Sequence, residues 1–233
     1  MNLFNKLKNL LQVILIFFKK RYLNLKQISL AQITKSEDIK IISTVDFRGG
    51  LTLEELCVII SITKYYKVKN YLEIGSFRGR TSINIAHNNT NINIDTLDLP
   101  NDYKFDNLQF KLLKNDTIQA SHQKRGYFFE KYKEYSNKIN NYYGDSANFD
   151  FKKLDKKFDL IFIDGSHKYE NVVIDSINAI NILYEHGFII WHDYSIQNME
   201  VVKAIKYIKK KYNLKIYSIK NTKFAIYGKN LKI

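Results

Sequence analysis

The chain has 233 residues, 45% of them hydrophobic and 26% charged, with a net charge of +14 at neutral pH. That is enough for one well-packed domain with a short appendage, and the composition is that of an ordinary globular protein. A single cysteine, Cys57, excludes an internal disulfide framework and a cysteine-based zinc cluster. It stands in the apolar run LCVII and reads as a buried packing residue. The positive excess is mostly lysine, spread along the chain beside many Asn, Ile and Tyr residues. With no arginine-rich cluster and no known nucleic-acid module, no nucleic-acid partner is expected.

Residues 1–23 carry an apolar run, Leu10 to Phe18, too short for a bilayer span of about 20 residues. Lys19, Lys20 and Arg21 follow where a signal-peptide cleavage site would need small residues. Two readings stand for this segment: a helix packing on the domain or on a second copy in a homodimer, or a basic amphipathic helix lying on the inner membrane surface. Residues 24–50 lack strong periodicity, and Asp46 to Gly50 reads as a loop. Thr52 with Glu55 three residues later is a capping box. Leu53, Leu56, Cys57 and Ile60 then follow helical spacing.

The stretch YLEIGSFRGRTS, Tyr71 to Ser82, places an apolar strand before a glycine turn and a helix start. Glycines let backbone approach a ligand, and the free N–H groups of a helix N-terminus donate to it. The turn is G-x-x-x-G, neither the dinucleotide fingerprint nor a P-loop. Glu73 would repel a pyrophosphate but suits a ligand carrying an amino group and a sulfonium. Ile92 to Leu97 alternates as a second strand ending on Asp98, a position suited to both hydroxyls of a ribose. Pro100 to Ser136 is too long for a plain crossover and reads as a substrate lid.

Ile139 to Tyr143 predicts a third strand with Gly144-Asp145-Ser146 as its turn, where Asp145 and Ser146 either face a purine ring or simply form the turn. Phe158 to Asp164 is a buried strand ended by a carboxylate, followed by Gly165-Ser166-His167. A helix with Val173, Ile177, Ile180 and Tyr184 on one face is expected to stop at Gly187. Phe188 to Trp191 is a fifth strand ending in His192-Asp193-Tyr194, and a helix follows from Ile196 to Tyr212. Leu214 to Ile219 and Lys223 to Tyr227 predict a closing antiparallel pair. Alternating strands and helices imply a mostly parallel α/β sheet with an antiparallel C-terminal edge.

With EIGSFRGRTS (Glu73 to Ser82), FDLIFIDGSH (Phe158 to His167) and HDY (His192 to Tyr194), the chain resembles class I S-adenosyl-L-methionine-dependent methyltransferases. The branch is that of small O-methyltransferases with E-x-G-x-x-x-G-x-S and F-D-x-I-x-I-D-G-x-H motifs. The resemblance covers about residues 50–228. It implies a Rossmann-like seven-stranded sheet with helices on both faces. Residues 46–233 would form the cofactor-binding domain and residues 1–45 a helical extension. It further implies that Glu73, Gly75, Ser76 and Gly79 hold the methionine end of S-adenosyl-L-methionine (SAM), Asp98 its ribose, and Asp145 with Ser146 its adenine.

The expected reaction is O-methylation of a small-molecule or glycan hydroxyl, in a cytoplasmic protein or one peripheral to the inner membrane surface. Non-catalytic binding of a partner or membrane, and nucleic-acid methylation, are the competing readings. Asp164 and Asp193 end neighbouring strands and should converge, with His167 and His192 beside them. In related metal-dependent O-methyltransferases the matching positions hold a divalent metal, so Asp164, His192 and Asp193 are candidate ligands for magnesium or manganese. His192 departs from the oxygen ligand usual there and suits a softer ion or none. His167, with an ordinary pKa near working pH, is the candidate general base beside Asp164.

Overall fold

A computed structural model describes Asn5 and residues 23–44, 49–122 and 124–231. Of the helix expected within residues 1–23, all but Asn5 and Leu23 lies outside the described residues, as do Asp46, Phe47 and Arg48 of the expected loop. Among the described residues, no helix is long and apolar enough to cross a membrane.

Eight strands are described: β1 (Lys26–Ile28), β2 (Asn70–Ile74), β3 (Asn93–Asp98), β4 (Ile139–Tyr143), β5 (Phe158–Ile163), β6 (Leu183–Trp191), β7 (Ile216–Ile219) and β8 (Ala225–Gly228). They form one sheet in the order β1-β7-β8-β6-β5-β2-β3-β4. All neighbours are parallel except β8, which runs antiparallel to both β6 and β7. The expected count of seven therefore rises by one. The added strand, β1, lies in a stretch without sequence periodicity and pairs with β7, Lys26 opposite Tyr217. Residues 26–28 are thus part of the sheet rather than of an appended segment.

The helices are α1 (Leu53–Tyr65), α2 (Arg80–Asn88), α3 (Lys114–His122), α4 (Tyr127–Lys131), α5 (Tyr169–Ile182) and α6 (Met199–Lys211). Alternate strand residues face opposite ways, and both sides are covered. Tyr71, Leu160 and Phe162 pack with α1, α2 and Phe128 of α4. Leu72, Ile74, Ile161 and Ile163 pack with α5 and α6. At the start of α1 the Thr52–Glu55 capping box is present in both directions. Leu53, expected on the packing face, is 49% exposed. Cys57, expected to be buried, is only partly so, because Leu56, Ile59 and Ile60 take the inner face instead.

Gly187 does not stop a helix. α5 ends at Ile182, and Leu183 already pairs with Phe158. β6 then advances from Leu183 to Phe188 while β5 advances only from Phe158 to Leu160. The surplus residues form an irregularity in which a Cβ on Gly187 would lie 2.9 Å from the Leu183 side chain. The glycine answers a crowded bulge inside a strand.

Candidate functional site

The site is built where β2, β3, β4, β5 and β6 end. The Asp164 N–H donates to the Ile74 carbonyl at 2.8 Å, and the His192 N–H to the Ile163 carbonyl at 3.0 Å. These bonds extend the ladder by one step and bring the ends of three strands together. Gly75 has φ of +90°, and a Cβ there would stand 2.4 Å from the Asp164 carbonyl oxygen. The turn after β2 can lie against the turn after β5 only because position 75 is glycine.

A cleft of about 790 Å³, part of it open to solvent, lies beside this contact. Its walls include Gly75, Asp98, Asp145, Ser146 and Asp164, and α3 contributes Asp116. A smaller cavity of about 470 Å³ adjoins it, walled by Glu73, Ser76 and Arg80; Gly75, Gln119 and Asp164 border both. Gly79 walls neither. With φ of +84° it caps α2, and the Phe129 ring lies where its Cβ would be. The second glycine of the motif thus serves backbone conformation and packing of the insertion.

Asp98 accepts the Leu99 N–H at 2.7 Å and the Phe77 N–H, and its Oδ1 lies 3.2 Å from Arg125 Nε. Burial pushes its carboxyl above the ordinary range, against the pull of these donors. The buried Arg125 also donates to the carbonyls of Pro100 and Ala120, tying the insertion to the end of β3. Glu73 is 1% exposed and accepts the Ser82 hydroxyl. Burial pushes its carboxyl well above the ordinary range, and the neighbouring Asp164 and Asp98 add to this. Asp145 accepts the N–H groups of Gln109 and Ala147 at 2.9 and 3.0 Å. Both of its oxygens therefore already serve the loop. Behind Ser146 stands Asp175, 1% exposed, its Oδ1 without a partner and its carboxyl pushed up to about 7 by burial.

Beside the cleft, Asp164, His192 and Asp193 bring one ligand atom each to within 4.8 Å of one another. His192 Nδ1 lies 2.8 Å from Asp164 Oδ1 and 3.0 Å from Asp193 Oδ2, yet forms no well-directed hydrogen bond with either. A buried nitrogen facing two carboxylates in this way fits a cation-binding set. Asp193 holds a φ of +57°, a conformation that only a few non-glycine residues adopt and that surrounding contacts must maintain.

His167 lies between Asp193 and the insertion. Its Nε2 is 2.6 Å from Asp193 Oδ2 and its Nδ1 is 2.6 Å from Asp116 Oδ1. Burial alone would lower its pKa, but bonds to Asp116 and Asp193 push it up to about 10. Burial likewise opposes ionisation of Asp193, but the two histidines hold its carboxyl well below the ordinary range. Expected as a base titrating near neutrality, His167 is favoured by these two carboxylates in the form with protons on both nitrogens. It then has no lone pair to receive another. The sequence offered no sign of Asp116, and marked Arg125 only as a residue of the insertion, not as the partner of Asp98; both act through the three-dimensional path of the insertion. Glu55 was visible only as a capping residue, although it also contacts His192.

An open α/β sheet with a cleft across its strand ends and carboxylates converging beside it belongs to the class of proteins that bind their ligands at the carboxyl edge of the sheet. The methyltransferase-domain family matches residues 72–194, more than half of the chain, and the chain belongs to that family. No curated protein matches it.

Among solved structures, SAH-bound PaMTH1, a methyltransferase of Podospora anserina, aligns with a TM-score of 0.55 at 16% identity, covering 77% of this chain and 79% of that one. The O-methyltransferase TomG of Streptomyces achromogenes, in complex with SAM, aligns at 0.54 and 11% identity over 77% and 81%. An O-methyltransferase of Bacillus cereus in complex with SAH aligns at 0.53 and 12% identity over the same shares. These likenesses show the shared fold.

Proposed function

We propose that the chain is a SAM-dependent methyltransferase acting on a hydroxyl of a small molecule or sugar. The observation that carries this reading is the position of Asp164, which walls the cleft and belongs to the Asp164–His192–Asp193 cluster. A cofactor cleft and a set of groups able to handle an acceptor hydroxyl thus share one residue.

Glu73 is assigned to the amino group of the methionine end, since a cation arriving there would offset the burial that raises its pKa. Asp98 is assigned to the ribose hydroxyls, and Ser146 with the Asp145 loop to the adenine. Bound SAM would supply the methyl group, which the acceptor oxygen takes as the carbon–sulfur bond breaks to leave the SAH thioether, while the hydroxyl proton passes to solvent water. Asp164, His192 and Asp193 would hold a divalent ion, magnesium or manganese, which lowers the pKa of a bound hydroxyl. His167 orients Asp193 and fastens Asp116. It can accept a proton only after a carboxylate partner withdraws and the ring has released one of its own.

The test is calorimetric titration of the purified protein with SAM and SAH, with and without magnesium or manganese. Micromolar binding supports the assignment, and a metal requirement for turnover would favour activation at the cluster. Binding of neither ligand would overturn it.

A further inference from the structure

Glu55 belongs to α1, remote in sequence from the cluster, yet its carboxylate joins three parts of the fold. Oε2 accepts the Thr52 N–H at 3.0 Å and faces His192 Nε2 at 3.3 Å, while Oε1 accepts the Lys223 N–H at 2.9 Å. Glu55 is 2% exposed and His192 7%. A carboxylate opposite Nε2 keeps the ring proton on that nitrogen, so the Nδ1 lone pair faces the other way. On that side lie Asp164 Oδ1 and Asp193 Oδ2, neither in hydrogen-bond geometry with Nδ1. In the absence of an ion, a proton on Nδ1 fills the space among these atoms; a divalent cation would take that proton's place against the same two carboxylates.

We propose that Glu55 is a positioning residue for a divalent-cation site formed by Asp164, His192 and Asp193, fixing the His192 ring so that Nδ1 is the ligand atom. The inference rests on the metal reading given above and adds the group that sets the histidine. Carboxylates hydrogen-bonded to the far nitrogen of a ligating histidine fix its orientation and raise its basicity. The mixed nitrogen and oxygen donor set favours manganese over magnesium, which prefers oxygen alone.

The experiment uses the full chain, stripped with a chelator and titrated with Mn²⁺ while the free aqua ion is followed by electron paramagnetic resonance. Glu55→Gln keeps the capping box, because glutamine serves at that position, but removes the charge facing His192. Wild type is expected to bind Mn²⁺ with nitrogen coupling in the pulsed spectrum. Glu55→Gln should bind it roughly 10- to 100-fold more weakly and with diminished nitrogen coupling.

Thr52→Ala breaks the capping box from the other side and leaves the Glu55–His192 contact in place. It should lower the thermal midpoint without changing Mn²⁺ affinity. Equal affinity in wild type and Glu55→Gln would overturn the role of Glu55 while leaving the metal reading intact. So would equal losses in Glu55→Gln and Thr52→Ala, since helix stability would then explain both. Absence of Mn²⁺ binding in wild type would overturn the inference and the metal reading together.

Discussion

Asp116 Oδ1 lies 2.6 Å from His167 Nδ1, and this contact fastens the insertion to the turn after β5. The other oxygen of Asp116 accepts the His167 N–H at 2.9 Å and the Ser166 hydroxyl at 3.2 Å, so one carboxylate closes three bonds across the cleft. Hydrogen bonds to charged groups contribute about 1.5–3 kcal/mol each. Asp116→Asn should therefore loosen α3 and weaken SAM binding roughly tenfold or more. It should also bring the His167 pKa down from about 10 toward its ordinary 6.5. Imidazole nitrogen chemical shifts followed against pH would check this, and an unmoved titration would show that Asp193 alone holds the ring.

The His167 pKa also shapes stability at alkaline pH. Because its folded value is raised, its contribution is fully present below 6.5 and is lost as pH rises through about 10. Between these values stability should fall by up to about 1.4 kcal/mol per pH unit, less whatever screening reaches the quarter-exposed ring. Denaturant midpoints at pH 7, 8.5 and 10 would display the slope, and His167→Gln should flatten it.

Asp175 gives a separate loss between acid and neutral pH. Its folded pKa of about 7 lies above the ordinary 3.8, so its contribution is present below 3.8 and disappears as pH rises through 7. Asp175→Asn removes the buried charge and keeps a partner for Ser146. It should be less sensitive to pH between 5 and 8 and, at pH 8, more stable than wild type by about 1 kcal/mol or more. A lower midpoint at pH 8 would contradict this.

Gly75→Ala places a methyl group 2.4 Å from the Asp164 carbonyl oxygen at a φ of +90°. The clash is with backbone, which a flexible side chain cannot relieve. A loss of several kcal/mol is expected, read as a drop in thermal midpoint together with loss of SAM binding.

Asp98→Ala removes the proposed ribose acceptor and leaves the buried Arg125 without its carboxylate. SAM affinity should fall roughly ten- to a hundredfold or more. Unchanged affinity by calorimetry would sink the ribose assignment.

Much of this arrangement could be read directly from the chain. Apolar runs closed by glycine or a carboxylate located β2, β3, β4 and β5 closely, and with them Gly75, Asp98 and Asp164 at the strand ends. Local pattern carries such information because burial on both faces leaves few residue types possible. It failed at β1, whose strand conformation comes from pairing with β7, and at Gly187, where a bulge imitates a helix stop. It could not anticipate that Asp116 would cross the cleft to His167, or that Glu55 would face His192. Those contacts join residues far apart in sequence. His167 shows the same limit: its residue type suggests a base near neutrality, and only its two carboxylate neighbours change that.

The pairing of β1 with β7 bears on how the chain matures. A ribosome releases residues 26–28 long before residues 216–219, so the outer strand has no docking edge until about 190 further residues have been made. Closing so long a loop is entropically slow. The segment around Leu25 and Ile28 must therefore wait with its apolar side chains uncovered, making that interval the one in which a chaperone or a truncated product would matter most.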